Sequence, residues 1–349
     1  MTGSMKVETE GTEIARSGKV EYDIIDDLWI FKGGRKVLEL CTLGTGGTLP
    51  LADRALSSLY VRENGRAMII DCGEGTQVGI RKLGWGFRCI EDVLLTHYHG
   101  DHCTGLAGLL LSLEKAGKTE TLNIWGPKGL KRVVEGLCVI VPPLSYPVLL
   151  HELPPEGGEL ESVGLKIRAF PVDHGGIPCY GYRMTLERKN TFSPEKAKAL
   201  GVPVTEWKKL QEGETVRAGG RKIRPEEVFG ASRKGITAVF STDTRPCETL
   251  RKYTKDADLL ILEGMYADEE KRPQALKNHH MMFSEAAQIA REAAPAALLL
   301  THFSTSLEDP ESGLDAAREI FQNTWTAKDG ETVTLRYPAG EEKAWISLC

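Results

Sequence analysis

Thr96-His97-Tyr98-His99-Gly100-Asp101-His102 stands directly behind the apolar run Asp92-Val93-Leu94-Leu95 and puts three imidazoles and a carboxylate into six residues. Successive residues of a strand face opposite ways, so a strand running into this motif turns His97 and His99 toward one cation. Asp101 and His102 are then left for a second position. Neutral imidazole and carboxylate suit zinc and, less strictly, manganese or iron. Asp101 also opens the amphipathic run Cys103 to Leu113, so a helix N-cap is its competing role.

Outward from this motif, strand-like runs at 37–43, 57–61, 67–70, 93–96 and 122–125 are interleaved with helix-like runs at 76–82, 105–115 and 130–138. Later strands are read at 165–171, 180–185, 236–241, 259–263 and 297–301, with helices at 247–252, 284–293 and 310–321. This pattern predicts an α/β (α+β) chain of sheets covered by helices. Metal-type residues fall just after the predicted strands: His97 after 93–96, Asp243 after 236–241 and His302 after 297–301. His174 follows the strand-like Arg168-Ala169-Phe170-Pro171-Val172 and precedes two glycines. Taken singly, each is a candidate core or turn residue. In the company of the first cluster, their order predicts a two-metal site on one rim of a sheet sandwich.

A chain of 349 residues can bury a substantial core as one large domain or two smaller ones. Its formal charge of −5 argues against a protein that coats nucleic acid along its whole surface, but leaves room for a local basic patch. Cys41, Cys72, Cys89, Cys103, Cys138, Cys179, Cys247 and Cys349 form no CxxC pair and read as reduced thiols of a cytoplasmic protein. No apolar stretch approaches the roughly 20 residues of a membrane span. The polar and charged opening has no signal-peptide pattern, and residues 1–35 read as an N-terminal extension of unassigned role, a tag remnant or an extra edge hairpin. Between 187 and 227 the apolar periodicity weakens, and ten Lys/Arg stand against seven Asp/Glu. Two readings follow for that segment: a protruding arm facing a polyanion, or a solvated insertion.

Leu43-Gly44-Thr45-Gly46-Gly47, Ile70-Asp71-Cys72-Gly73-Glu74-Gly75-Thr76-Gln77, the histidine motif, Trp125-Gly126-Pro127-Lys128-Gly129, Tyr180-Gly181-Tyr182-Arg183, Asp243-Thr244-Arg245, and His280 with Glu285-Ala286-Ala287 follow one another along the chain. From about 37 to 321 this order resembles the metallo-β-lactamase superfamily and, within it, the ribonuclease Z family. The resemblance implies a metallo-β-lactamase αββα sandwich over 36–349, two mixed β-sheets flanked by helices, with 187–227 as an inserted flexible arm. It implies two Zn²⁺ ions, with Mn²⁺ or Fe²⁺ as substitutes. His97, His99 and His174 would hold one, Asp101, His102 and His302 the other, and Asp243 would bridge them. Such ions, roughly 3.5–4 Å apart, acidify a shared water and clamp an in-line phosphoryl displacement.

The resemblance further implies an endoribonuclease that removes the 3′ trailer of precursor tRNA by hydroxide attack on a phosphodiester. Asp101 would act as general base, His280 would donate a proton to the leaving oxygen, and Glu263 would orient His280. Glu263 has an alternative as a strand-terminal surface acid. His279 reads as solvent-facing or as a supporting group, and Asp71 and Thr96 as partners that fix imidazole tautomers. Gly44, Gly46 and Gly47 read as a tight turn. In the arm, Lys208, Lys209, Arg221, Lys222 and Arg224 would contact tRNA phosphates, and the family's arrangement implies a homodimer. The chain departs from the family pattern at Val204-Thr205, Thr242, Met282 and Ser306-Leu307. Two other readings therefore stand beside the first: a phosphodiesterase acting on small or cyclic substrates, and an RNA-binding homologue with weakened chemistry.

Overall fold

Leu259-Leu260-Ile261-Leu262 is apolar at every position, as a parallel strand covered on both faces requires. Leu259 and Ile261 enter the core between two sheets, and Leu260 and Leu262 enter a second core beneath helices. A computed structural model describes residues 22–25, 28–31, 38–188, 190–231, 233–337 and 345–348 of the chain. One sheet runs, in spatial order, Trp345–Leu348, Glu331–Arg336, Leu38–Gly44, Ser58–Glu63, Arg66–Ile70, Ile90–Leu94, Leu122–Gly126, Val148–Glu152. The other runs Thr324–Thr326, Ala297–Thr301, Leu259–Glu263, Arg233–Ser241, Tyr180–Arg188, Leu165–Pro171, Gly158–Ser162. Both sheets mix parallel and antiparallel pairs.

Period-2 alternation assigns the layers. In Leu38–Gly44, Leu38 and Leu40 meet the facing sheet, while Cys41 and Leu43 meet the helices Thr76–Leu83 and Leu106–Lys115. The second sheet is covered outside by Glu248–Thr254, Phe283–Ala293 and Leu314–Ile320 through Leu250, Ala286, Ile289 and Ala317. The result is the αββα sandwich of the metallo-β-lactamase fold.

One expected strand is misplaced. The run at 93–96 is the strand Ile90–Leu94, which stops before the histidines because the Thr96 N–H leaves the ladder and donates to the Asp71 carboxylate at 2.8 Å. His97 and His99 thus lie on the following loop and not on two pleats of one strand. The expected helix at 310–321 divides into a 3₁₀ turn, Pro310–Gly313, and the helix Leu314–Ile320. At the N-terminus, Tyr22–Ile25 and Leu28–Phe31 pair as an antiparallel hairpin. The rest of that extension, and Cys349, lie outside the described residues.

The connection from Tyr180–Arg188 to its antiparallel neighbour Arg233–Ser241 carries the basic segment. It holds the helices Pro194–Ala199, Trp207–Gln211 and Pro225–Val228 and the hairpin Val216–Ala218 with Arg221–Ile223. Ala197, Leu210, Ile223 and Val228 are fully buried in a small core of its own. Its two ends are tied by Ser193 N–H to Val228 O at 2.7 Å and Gly230 N–H to Thr191 O at 2.8 Å.

Candidate active site

The parallel strands Arg233–Ser241, Leu259–Glu263 and Ala297–Thr301 end side by side, and just past or at their ends stand Asp243, Glu263 and His302. The end of Arg66–Ile70 in the facing sheet contributes Asp71. Carboxyl ends of parallel strands are where open sheets bind ligands, because the chain leaves them as loops free to turn side chains inward. Asp71, Asp243 and His302 all take left-handed backbone, at φ 60°, 47° and 58°. A side chain bearing a Cβ is disfavoured there, and such strain gathers at functional sites.

Seven side chains converge on this rim. The ligand atoms of His97, His99, His174 and Asp243 lie within 4.8 Å of one another, as do those of Asp101, His102 and His302. Asp243 joins the two groups: Oδ1 is 3.1 Å from Nε2 of both His102 and His302, and Oδ2 is 3.7 Å from Nε2 of His97 and of His174. Nε2 of His102 and Nε2 of His302 face each other at 3.0 Å, and His174 Nε2 faces His99 Nδ1 at 3.3 Å. Two nitrogens each about 2.0–2.1 Å from a shared cation are separated by about this much. His97 Nε2 and Asp243 Oδ1 are buried with no aligned hydrogen-bond partner. Buried polar atoms of native proteins are nearly always paired, so atoms aimed at a common point, and not at one another, fit metal ions.

The supports of these imidazoles lie on their far sides. Asp71 accepts from Thr96 Oγ1 and meets His102 Nδ1 at 2.7 Å, while Thr96 Oγ1 meets His97 Nδ1 at 3.0 Å. Both histidines thereby present Nε2 to the centre. Burial pushes His97 below the ordinary imidazole range and the neighbouring His102 adds to this, so its lone pair is free. Burial opposes ionisation of Asp243, but His302, His102 and His97 outweigh it and hold the carboxyl well below its usual range.

Asp101 is not a helix cap. His99 occupies the N-cap position of the short helix Gly100–Cys103, and the Asp101 carboxylate accepts the Thr48 N–H at 2.6 Å. The glycine turn at 44–47 thus belongs to the site, which its composition does not reveal. A Cβ on Gly47 would stand 2.7 Å from the His302 ring, and Thr48 adopts φ 73°. Glu263 is fully buried and is no surface acid: Oε2 meets His280 Nδ1 at 2.9 Å, and Oε1 accepts the Thr244 N–H. Burial lowers the His280 pKa, but Glu263 more than reverses this and lifts it to about 9. His279 is half-buried; its carbonyl faces His174 Nδ1 at 3.3 Å and its ring covers Gly175.

Lys208, Lys209, Arg221, Lys222 and Arg224 are all exposed on the arm. Lys208, Lys209 and Arg221 pair with Glu212, Glu206 and Glu227 of the arm itself.

Residues 202–303 match the beta-lactamase superfamily domain, and residues 38–135 match a family described as Anti-Pycsar protein Apyc1. With two helix-flanked sheets and a His/Asp cluster on their rim, the molecule is a metal-dependent hydrolase of the metallo-β-lactamase fold. Ribonuclease Z of Clostridium acetobutylicum is 45% identical over 307 residues, covering 86% of this chain and 99% of that protein. Ribonuclease Z of Lachnospira eligens is 44% identical over 301 residues, again 86% of this chain and 99% of that protein. The crystal structure of human tRNase Z, short form, shares the fold, with a TM-score of 0.60 at 22% identity, covering 84% of this chain and 98% of that one. The chain belongs to the ribonuclease Z family.

Proposed function

We propose that this protein is an endoribonuclease that cuts the 3′ trailer from precursor tRNA. The observation that carries this reading is the pairing of two ligand groups through Asp243 with a His280–Glu263 dyad beside them, Asp243 Oδ2 lying 3.9 Å from His280 Nδ1. Identity of 45% over nearly the whole of a ribonuclease Z supports it. His97, His99 and His174 would hold one zinc ion, Asp101, His102 and His302 a second, and Asp243 both; manganese or iron would serve in their place. Bound there, the ions supply a water acidified to neutral pH and Lewis-acid polarisation of the phosphoryl oxygens.

The chain's own groups supply the proton traffic. Asp101, fixed by the Thr48 N–H, accepts a proton from the attacking water. Glu263, facing Nδ1, favours the protonated form of His280, which donates through its other nitrogen to the departing 3′ oxygen. Water is thereby divided between the products: a 3′-hydroxyl on the tRNA and a 5′-phosphate on the trailer. The arm, through Lys208, Lys209, Arg221, Lys222 and Arg224, would bind tRNA phosphates away from the cut, in a homodimer and in the cytoplasm. Among the described residues no helix is long and apolar enough to cross a membrane.

The test is cleavage of an end-labelled precursor tRNA by zinc-loaded protein. A cut next to the discriminator base with a 3′-hydroxyl end is the expected result. Hydrolysis of a small aryl phosphodiester with the precursor left intact would replace this reading with the small-substrate phosphodiesterase. Turnover of neither substrate, with RNA still bound, would leave only an RNA-binding role.

A further inference from the structure

Among the described residues the Arg245 hydrogen bonds and ion pair go to none of the seven converging side chains, yet Arg245 joins the segments that carry three of the site's residues. It follows Asp243 by two positions, and its backbone N–H donates to Asp173 O at 2.8 Å, next to His174. Its guanidinium Nη1 donates to the His280 carbonyl. The same guanidinium grips Glu285 with both forks, Nη1 to Oε2 at 2.8 Å and Nη2 to Oε1. Glu285 in turn accepts the Met282 N–H at 2.9 Å at the start of Phe283–Ala293, and Arg272 Nη1 at 2.9 Å. Arg272 also holds Glu269 and Ser284.

This arrangement bears on one group in particular. His280 follows His279, whose backbone is left-handed at φ 59°, so the chain reverses just before the proton donor. The imidazole has the Glu263 contact, but its main chain is fixed by two bonds only among the described residues: its N–H to Ala275 O at 2.9 Å and its carbonyl to Arg245. Arg245 and Glu285 are both largely buried, at 14% and 15% side-chain exposure, so their fork-to-fork pair is little screened.

We infer that Arg245, held by Glu285, is a positioning residue that sets the His280 imidazole at the distance and angle needed to protonate the leaving oxygen. The inference rests on the proton-donor role proposed above for His280. Lysine cannot replace Arg245, because a point ammonium cannot hold the His280 carbonyl and both carboxylate oxygens of Glu285 in one plane. Glutamine at 285 keeps the side-chain length and one acceptor but loses the charge.

The experiment compares wild type, R245K, E285Q, H280A and R245K/H280A on a series of substituted phenyl phosphodiesters of rising leaving-group pKa, and on precursor tRNA. Metal content and melting temperature are measured for each. A good leaving group departs without a proton, whereas a poor one needs the acid, and general-acid help is worth about 10²–10⁴-fold. The expected result is that R245K and E285Q retain two metal equivalents, lose about 100-fold on the poorest leaving groups and change only about threefold on the best, a steepening shared with H280A. R245K/H280A should then be no slower than H280A alone, as for groups acting through one another. Equal losses along the whole series, or additive losses in the double variant, would overturn the inference and make the clamp a matter of folding alone. Because the series contains no RNA, intact precursor with an unchanged leaving-group pattern would reject the tRNA substrate and leave the clamp standing. A wild type that turns over neither the esters nor the precursor would overturn both.

Discussion

The rim of the sandwich and the arm at 190–231 solve opposite problems. On the rim, His97, His102, His174, Asp243 and His302 are buried and their polar atoms converge. On the arm, the five candidate cations are exposed, and three are occupied by carboxylates of the same segment. Exposed ion pairs of this kind are worth roughly 0–1 kcal/mol, so RNA phosphates can exchange for them at little cost. Breaking a buried ion pair costs about 3–5 kcal/mol. Single substitutions should therefore disable the rim and only erode the arm.

Asp243→Ala gives the largest expected effect. It removes the one carboxylate shared by both ligand groups, so metal content and turnover on every substrate should fall together. Retained turnover would break the contrast. His280→Ala should keep the metals and lower precursor cleavage by about 10²–10⁴-fold, as measured under single-turnover conditions. Metal loss in that variant would instead make His280 a ligand, which its approach to Asp243 and His302 also permits.

On the arm, Lys222→Glu with Arg224→Glu should raise KM for precursor tRNA several-fold with little change in kcat. The dependence of binding on salt should flatten by about 0.7–0.9 in log–log slope for each RNA phosphate that is no longer neutralised. An unchanged salt slope would assign the arm another role.

The smallest expected change is spectroscopic. In the metal-free protein, His280 should titrate near pH 9 by NMR, and Glu263→Gln should bring it back toward 6.5. The folded pKa lies above the ordinary 6.5, so this pair stabilises the fold fully below that value and ceases to do so as pH rises through about 9. An unshifted His280 would separate Glu263 from the proton donor.

The same contrast governs what could be read from sequence. Asp243 and His302 were legible because each follows a strongly apolar strand, whose end must lie on a rim, whereas Glu263, the last residue of Leu259–Glu263, read equally as a surface acid and only the resemblance placed it beside His280. The histidine motif was legible as chemistry but not as geometry. Nothing local shows that the Thr96 N–H prefers the Asp71 carboxylate, 25 residues away, to its strand neighbour. Gly47 against His302 and Arg245 against Glu285 are likewise tertiary contacts with no local signature. Strands at or near sheet edges, such as Val148–Glu152, Gly158–Ser162 and Glu331–Arg336, escaped because they mix charged residues into short runs. The arm's helices are four to six residues long, too short for a 3.6-residue period to emerge, though they bury Leu210 and Val228 completely.

Anomalous diffraction at the zinc edge, on crystals of the metal-loaded protein, addresses the proposed centre most directly. Two peaks roughly 3.5–4 Å apart, with an Asp243 oxygen bound to each, are predicted. A single peak, or none with the histidines turned away from one another, would contradict it.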